Sequence, residues 1–353
     1  MWGPHVSSIS GIEKRGADSS VRGLTLDRVR LRNVAARWLL FSDYGAVAQR
    51  HMAIVWSCVL LCVAADVIWL PGSGLSFAPS NWTVLLQGFV SCLLAGAFIA
   101  IASHRLSTDA RRPAVLLRKA LLLTDLLWRT VPPIGALLVA GVMLSYVITA
   151  ANQPLRDNLL ANADHLLGFD WPSFLKATNS SPIIVTLLTT AYQSTGLVTE
   201  LVLVWLVFQR RGERLAELIA VLSLSTVALC ITMWLLPAAG AFSYFRPAPQ
   251  LFDRFAAYGE MWTFGLTFAM LRDGSLATFD LSTIDGIVSF PSFHTMLGVM
   301  TINAARDTRW LLLPVLVANA TMILATMPVG GHHLTDVLAG AGLTIGAALL
   351  VRR

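Results

Sequence analysis

The sequence predicts an all-α fold: a polytopic transmembrane helical bundle of about eight spans, the last six forming a core. Three observations carry that expectation. The chain of 353 residues is 56% hydrophobic and only 13% charged, against roughly 25% charged for an ordinary soluble domain. It contains eight apolar stretches close to the roughly 20 residues that a helix needs to cross a bilayer. Its Lys and Arg residues fall on alternate loops between those stretches, the distribution that membrane topology imposes.

In chain order, residues 1–50 are polar and basic and lack the early apolar core of a signal peptide. Disorder is expected over 1–26, which is rich in Ser, Gly, Lys and Arg, and a short surface helix over 27–50. Spans are expected near 52–71, 83–102, 133–151, 182–208, 215–236, 289–305, 309–327 and 333–351. The stretch 114–131 is apolar but carries Asp125 and Arg129 ahead of Pro132-Pro133. It reads as an interfacial helix leading into the third span, with the two charges paired one turn apart. Residues 51–132 are thus two extra spans and an interfacial helix, and 133–353 a six-span core.

The N-terminal segment carries eight basic residues, the loop 103–119 five, 209–214 three, 306–309 two, and the chain ends in Arg352-Arg353. Those twenty of the 26 fall on one face if there are eight spans. That face is expected to be cytoplasmic, with both termini, in a multi-pass protein of the cell membrane. The net charge of +6 is spread over short membrane-flanking loops with no nucleic-acid-reading motif, which excludes a nucleic-acid partner.

The outer loop 152–181 alternates polar and apolar residues at helical spacing and predicts an amphipathic surface helix. The longest outer segment, 237–288, runs into Phe290-Pro-Ser-Phe-His-Thr295. Cys58, Cys62, Cys92 and Cys230 all sit in apolar runs and read as buried small residues. They form neither a disulfide framework nor a zinc pair. Asp66 and Glu200 lie inside spans, where a carboxylate is expensive. Glu200, with Tyr192 and Gln193 two turns outward, is expected to make an interhelical hydrogen bond. Gly342-x3-Gly346 is expected to pack within the bundle. Trp69, Trp82, Trp171 and Trp310 fall near span ends, where an aromatic belt belongs. The sequons at Asn81 and Asn179 are expected on outer loops.

The chemistry concentrates at two helix starts. His294 and His332 are 38 residues apart, enough for one helix in and one back. Both are expected at helix N-termini on one face of the membrane, where unpaired N–H groups and the dipole favour an anion. Pro291 suits a first helical turn, Ser292 offers a hydroxyl, and Gly330-Gly331 allows a sharp turn. His332 and Asp336 are four apart and share a helix face. The carboxylate can fix one imidazole nitrogen and leave the other to attack, while His294 protonates a leaving oxygen. His333, three from Asp336, takes a flanking role. Two other readings stay open: a metal-binding or transport site built from His294, His332, His333 and Asp336, and a catalytically silent lipid-binding protein. Against transport, the sequence shows no broken span or internal repeat.

Pro291-Ser292-Phe293-His294, followed by His332-x3-Asp336-Val337, resembles the type 2 phosphatidic acid phosphatase superfamily, whose motifs are Pro-Ser-Gly-His and Ser-Arg-x5-His-x3-Asp. The resemblance covers about residues 150–350. It implies that His294 is the general acid, His332 the nucleophile that becomes phosphohistidine, and Asp336 its orienter. Phe293 replaces the motif Gly, Ala325 and Thr326 stand for its Ser-Arg, and Ala239 for the Lys of an opening motif that retains Arg246-Pro247. These departures resemble the branch that includes inositol phosphorylceramide synthase. With the usual Lys and Arg missing, Arg272 first and Arg246 second are expected to neutralise the phosphate, with Pro291, Ser292 and His333 beside it. The resemblance implies a lipid-phosphate phosphatase or phosphotransferase at the extracytoplasmic face. Its partners are a membrane lipid phosphate and the bilayer, and its scheme requires no metal or cofactor.

Overall fold

The computed structural model describes residues 39–107, 111–258, 262 and 264–353. The disorder expected over 1–26 and the first part of the helix expected over 27–50 lie outside those residues. From Gly45 onward the chain is already in its first long helix.

Fourteen α-helices are described. They are α1 (Gly45–Trp69), α2 (Pro79–Arg105), α3 (Arg112–Ala150), α4 (Asp157–Leu166), α5 (Trp171–Asn179), α6 (Pro182–Gln193), α7 (Thr195–Phe208), α8 (Gly212–Leu235), α9 (Ala241–Phe245), α10 (Asp253–Ala256), α11 (Phe264–Asp273), α12 (Phe293–Ala305), α13 (Arg309–Ala325) and α14 (Leu334–Arg352). Proline in the first turn starts α2, α3, α5 and α6, where its missing N–H has no partner to lose. Asp170 and Ser181 cap α5 and α6 by accepting from Ser173 N and Ile184 N.

Helices occupy all eight expected span positions, but they are not equal. The helical stretch Ser42–Gly72 and helices α2, α3, α8 and α14 are long and apolar enough to cross a membrane, giving five spans, or six if α6 and α7 count as one. Helix α12 has 13 residues and α13 has 17, short of the roughly 20 of a full crossing. Helix α8 lies at the centre, packed on α1, α3, α12 and α14, with Leu215, Ile219, Met52, Met300 and Ala347 in one buried cluster. Helix α2 is peripheral and packs on α3, and its Leu86, Phe89, Leu94 and Phe98 are exposed. Such a surface belongs in lipid.

Several expectations are corrected. The separate interfacial helix does not exist: 112–150 is one helix of 39 residues that runs through Pro132-Pro133, about 58 Å long. The pairing of Asp125 with Arg129 does occur, and Asp43 joins it at 2.7 and 2.9 Å around a guanidinium that is 2% exposed. The span expected over 182–208 is broken, bent by 48° between α6 and α7. At the break the Ser194 and Thr195 hydroxyls donate to the carbonyls of Ala191 and Tyr192, as such side chains do where a helix bends. The expected amphipathic helix over 152–181 is two short helices, α4 and α5.

Glu200 makes no interhelical hydrogen bond among the described residues and lies on an exposed face. Asp66 is buried, and its Oδ1 has no partner among the described residues. Gly342 and Gly346 face open space, whereas a Cβ on Gly340 would come within 2.6 Å of the Ser292 carbonyl. The close packing therefore sits half a turn from where the Gly-x3-Gly pattern placed it. Trp69, Trp82 and Trp310 are exposed, but Trp171 is core, donating to the Met327 carbonyl at 3.0 Å. Cys58, Cys62 and Cys230 are free and buried and Cys92 is half-buried. Both sequon asparagines are buried and engaged: Asn179 donates to Asp253 at 2.7 Å, and Asn81 donates to Phe279 O and accepts from Leu281 N, each at 2.8 Å.

The Asn81 contacts accompany a two-stranded parallel link, β1 (Ser76–Phe77) with β2 (Thr278–Phe279). It ties the loop between α1 and α2 to the loop that enters α12. The first two spans thus anchor the segment that delivers His294.

Arg129→Met would leave the half-buried Asp125 without its cation. Removing one member of a buried ion pair is strongly destabilising, so a loss of about 3 kcal/mol, the low end of the usual range, is expected. It would be read as a lower unfolding midpoint in detergent, with the milder Asp125→Asn for comparison.

Candidate active site

The site is built where the N-termini of α12 and α14 meet. Gly331, at φ +69°, turns the chain into α14 in a conformation that a side chain would strain. His332 follows, its N–H donating to the Thr326 carbonyl at 3.2 Å. Its ring Nδ1 meets Asp336 Oδ2 at 3.3 Å, and the same oxygen accepts from His333 N at 2.8 Å. Asp336 is fully buried, and its Oδ1 has no partner among the described residues. With Nδ1 turned to the carboxylate, Nε2 is the nitrogen left for chemistry.

Ser292 caps α12, its Oγ accepting from Thr295 N at 3.4 Å, and its own N–H donates to the Asp336 carbonyl at 3.0 Å. That bond, with the close approach at Gly340, locks the two helix starts together. His294 in the first turn of α12 stacks on Tyr192, ring centroids 4.3 Å apart, with Tyr192 Oη 3.3 Å from its Nδ1. Tyr192 lies in the last turn of α6, just before the bend.

His294 and His332 line one cavity of about 160 Å³. Its far wall is apolar, with Leu137, Leu138 and Val142 from α3 and Leu222 and Leu229 from α8. No Lys or Arg lines it among the described residues. The structure therefore brings His294, His332 and Asp336 together, but the other expected residues do not join them. Pro291 and Ser292 are buried, and the Ser292 hydroxyl is used as a helix cap rather than offered to a ligand. Arg246 and Arg272 line a different cavity, beside α4, α9 and α11. Among the described residues no group of three or more His, Cys, Asp or Glu side chains is arranged to hold a metal ion.

His333, expected beside the phosphate, is instead 0% exposed and clamped between two carboxylates. Asp164 Oδ2 lies 3.3 Å from its Nδ1 and Asp157 Oδ1 3.7 Å from its Nε2. Asp164 also caps α14, accepting from Leu334 N at 3.0 Å and Thr335 N at 2.8 Å. Asp157 accepts from Ala239 N at 3.0 Å and Gly240 N at 2.8 Å. Burial raises Asp164, but His333 and these N–H donors outweigh it and hold it below the usual carboxylate range. Burial likewise lowers His333, but Asp157 and Asp164 lift it to about 9. Sequence reasoning missed Asp157, Asp164 and the Tyr192–His294 stack. The two carboxylates are seven apart on an amphipathic stretch, which places them on one face. That spacing was the available signal.

Because His333 is raised in the folded state above its ordinary 6.5 to about 9, its stabilisation is full below pH 6.5 and is lost as pH rises through 9. The loss is on the order of 3 kcal/mol at most. Unfolding midpoints measured across that window should fall in the wild type. They should lose most of that slope in His333→Gln.

No curated protein and no solved structure matches the chain significantly. A family model described as the PAP2 superfamily matches residues 158–350, from α4 into α14, with His294, His332 and Asp336 inside the match. Members of that superfamily are phosphoesterases or phosphotransferases. With more than half of its 353 residues matched and a multi-helical membrane fold built around the paired histidines, the chain belongs to the PAP2 superfamily.

Proposed function

We propose that the protein cleaves a phosphoester of a membrane lipid through a phosphohistidine on His332. The observation that carries this reading is the shared cavity. Two imidazoles, one oriented by a buried carboxylate, stand at its polar end, and its remaining wall is largely the apolar flanks of α3 and α8. A phosphate suits the first part and an acyl chain the second.

The reaction is two in-line displacements. His332 Nε2 attacks phosphorus, forming the N–P bond as the P–O bond to the leaving alcohol breaks, and His294 gives that oxygen its proton. An acceptor oxygen then attacks phosphorus and passes its proton to His294, the N–P bond breaks, and His332 is restored. Asp336 orients His332 and stabilises its cationic states, and Tyr192 positions His294. With no guanidinium lining the cavity among the described residues, the first N–H groups and dipole of α12 face the phosphate charge. Phosphoryl transfer asks chiefly for such positioning and charge stabilisation. On this reading residues 133–353 are the catalytic unit, α1 and α2 support the entrance of α12, and the site lies at the extracytoplasmic face, which the basic-loop distribution supports.

Water as acceptor makes the enzyme a phosphatase. A second reading, transfer of a phospho-head-group to an alcohol such as inositol, is favoured by the departures at Phe293, Thr326 and Ala239, which resemble the inositol phosphorylceramide synthase branch.

Purified protein in detergent with EDTA should release phosphate from lipid phosphates, and His332→Ala should lower turnover by at least about a thousandfold. Label moving into an inositol product would establish the transferase. Unchanged turnover in His332→Ala would remove the proposal. Leu138→Trp, at the apolar wall, should cut turnover of a long-chain lipid phosphate about tenfold and spare a water-soluble aryl phosphate. Equal losses on both would place the acyl chain elsewhere.

A further inference from the structure

The second cavity, of about 780 Å³, opens at the same end of the bundle and is lined by Arg246, Arg272, Asn152, Asn158, Ser243 and Tyr244 among others. It is ligand-sized, within the roughly 300–1,000 Å³ of small-molecule sites, and neither His294 nor His332 lines it. Its two cations come from different elements: Arg246 follows α9 and Arg272 lies in the last turn of α11. Arg272 is half-buried, fixed by a 2.8 Å bond to the Gln153 carbonyl and set over the Phe268 ring at 5.6 Å. Among the described residues neither guanidinium pairs with a carboxylate, and the Arg246 side chain makes no hydrogen bond.

The cavity's acids are occupied elsewhere. Asp157 accepts from two backbone N–H groups and faces His333. Asp273, on the exposed rim, accepts from Ser275 N at 2.8 Å. Among the described residues Arg272 has no carboxylate at ion-pair distance, and the charge of Asp157 across the cavity offsets its desolvation only in part. Half-buried Arg272 and exposed Arg246 line one ligand-sized space, and together they make a fork for a phosphate, with amide and hydroxyl groups nearby for the hydroxyls of a head group.

We propose that this cavity is a second, non-reacting anion site that binds a phosphate-bearing head group through Arg246 and Arg272. It does not rest on the phosphohistidine reading. Its Asp157 wall is shared with the clamp on His333, so an occupant would lie directly behind the start of α14.

The test is calorimetric titration of inorganic phosphate into the full chain in phosphatidylcholine nanodiscs. The isotherm that survives in His332→Ala should be weakened at least about tenfold in Arg272→Gln and in Arg246→Gln. Arg246 makes no side-chain bond, so its variant keeps the test valid if Arg272→Gln does not fold. Adding phosphatidic acid to His332→Ala discs separates the sources. If the ligand is a lipid head group, the lipid displaces the phosphate; if it is free phosphate, the isotherm is unchanged. The proposal is overturned if wild type shows no such binding, if Arg246→Gln binds as wild type does, or if all binding disappears in His332→Ala. Turnover of His332→Ala, measured separately, bears on the reaction alone.

Discussion

The structure depends on holding two helix starts at one point. The start of α12 carries His294, the start of α14 carries His332 and Asp336, and nothing in the local sequence of either obliges them to meet. The bond from Ser292 N to the Asp336 carbonyl and the close approach at Gly340 bring them together. The carboxylates of α4 then fix α14 from behind. Asp164 takes its first N–H groups, and Asp157 and Asp164 enclose His333. A histidine enclosed by two carboxylates in a buried setting is costly to assemble and costly to break, so it favours one arrangement of α4, α9 and α14 over slipped alternatives.

On the proposed mechanism the two adjacent histidines divide the labour. His332 faces the cavity with one carboxylate behind it, the arrangement of a group that must change its bonding. His333 faces inward with two, the arrangement of a group that must not. The same logic recurs at Arg129, whose buried charge ties α3 to the residues before α1. It recurs at Asn81, whose amide closes the link between the first hairpin and the segment entering α12. In each case a buried polar group with fixed partners sets a position that apolar packing alone would leave free to slide.

Much of this was legible in the sequence, and the failures have physical causes. Apolar run length gave the helix positions, and the i,i+4 spacing gave both Asp125–Arg129 and His332–Asp336, because those facts are local. The continuous α3 was missed because Pro132-Pro133 reads as a break, although a helix can pass through where packing supports it. The bend at Ser194 was missed because apolar composition does not report direction. That Arg246 and Arg272 line a cavity other than the one lined by His294 and His332 was hidden for a related reason. Charge on the same face of a membrane says nothing about which cavity it enters, and only the tertiary path of α9 and α11 decides that. Gly340 was passed over for Gly342 and Gly346 because a motif gives spacing but not rotation about the helix axis.

The central claim is that His332 carries the phosphoryl group between the two displacements. The most direct measurement is to quench the purified protein during turnover of a phosphate-labelled lipid, under conditions that preserve nitrogen–phosphorus bonds, and to map the label by mass spectrometry. The account predicts an acid-labile, base-stable phosphoryl group on His332, absent from His332→Ala. Active protein whose quenched form carries label on another residue, and none on His332, would contradict it.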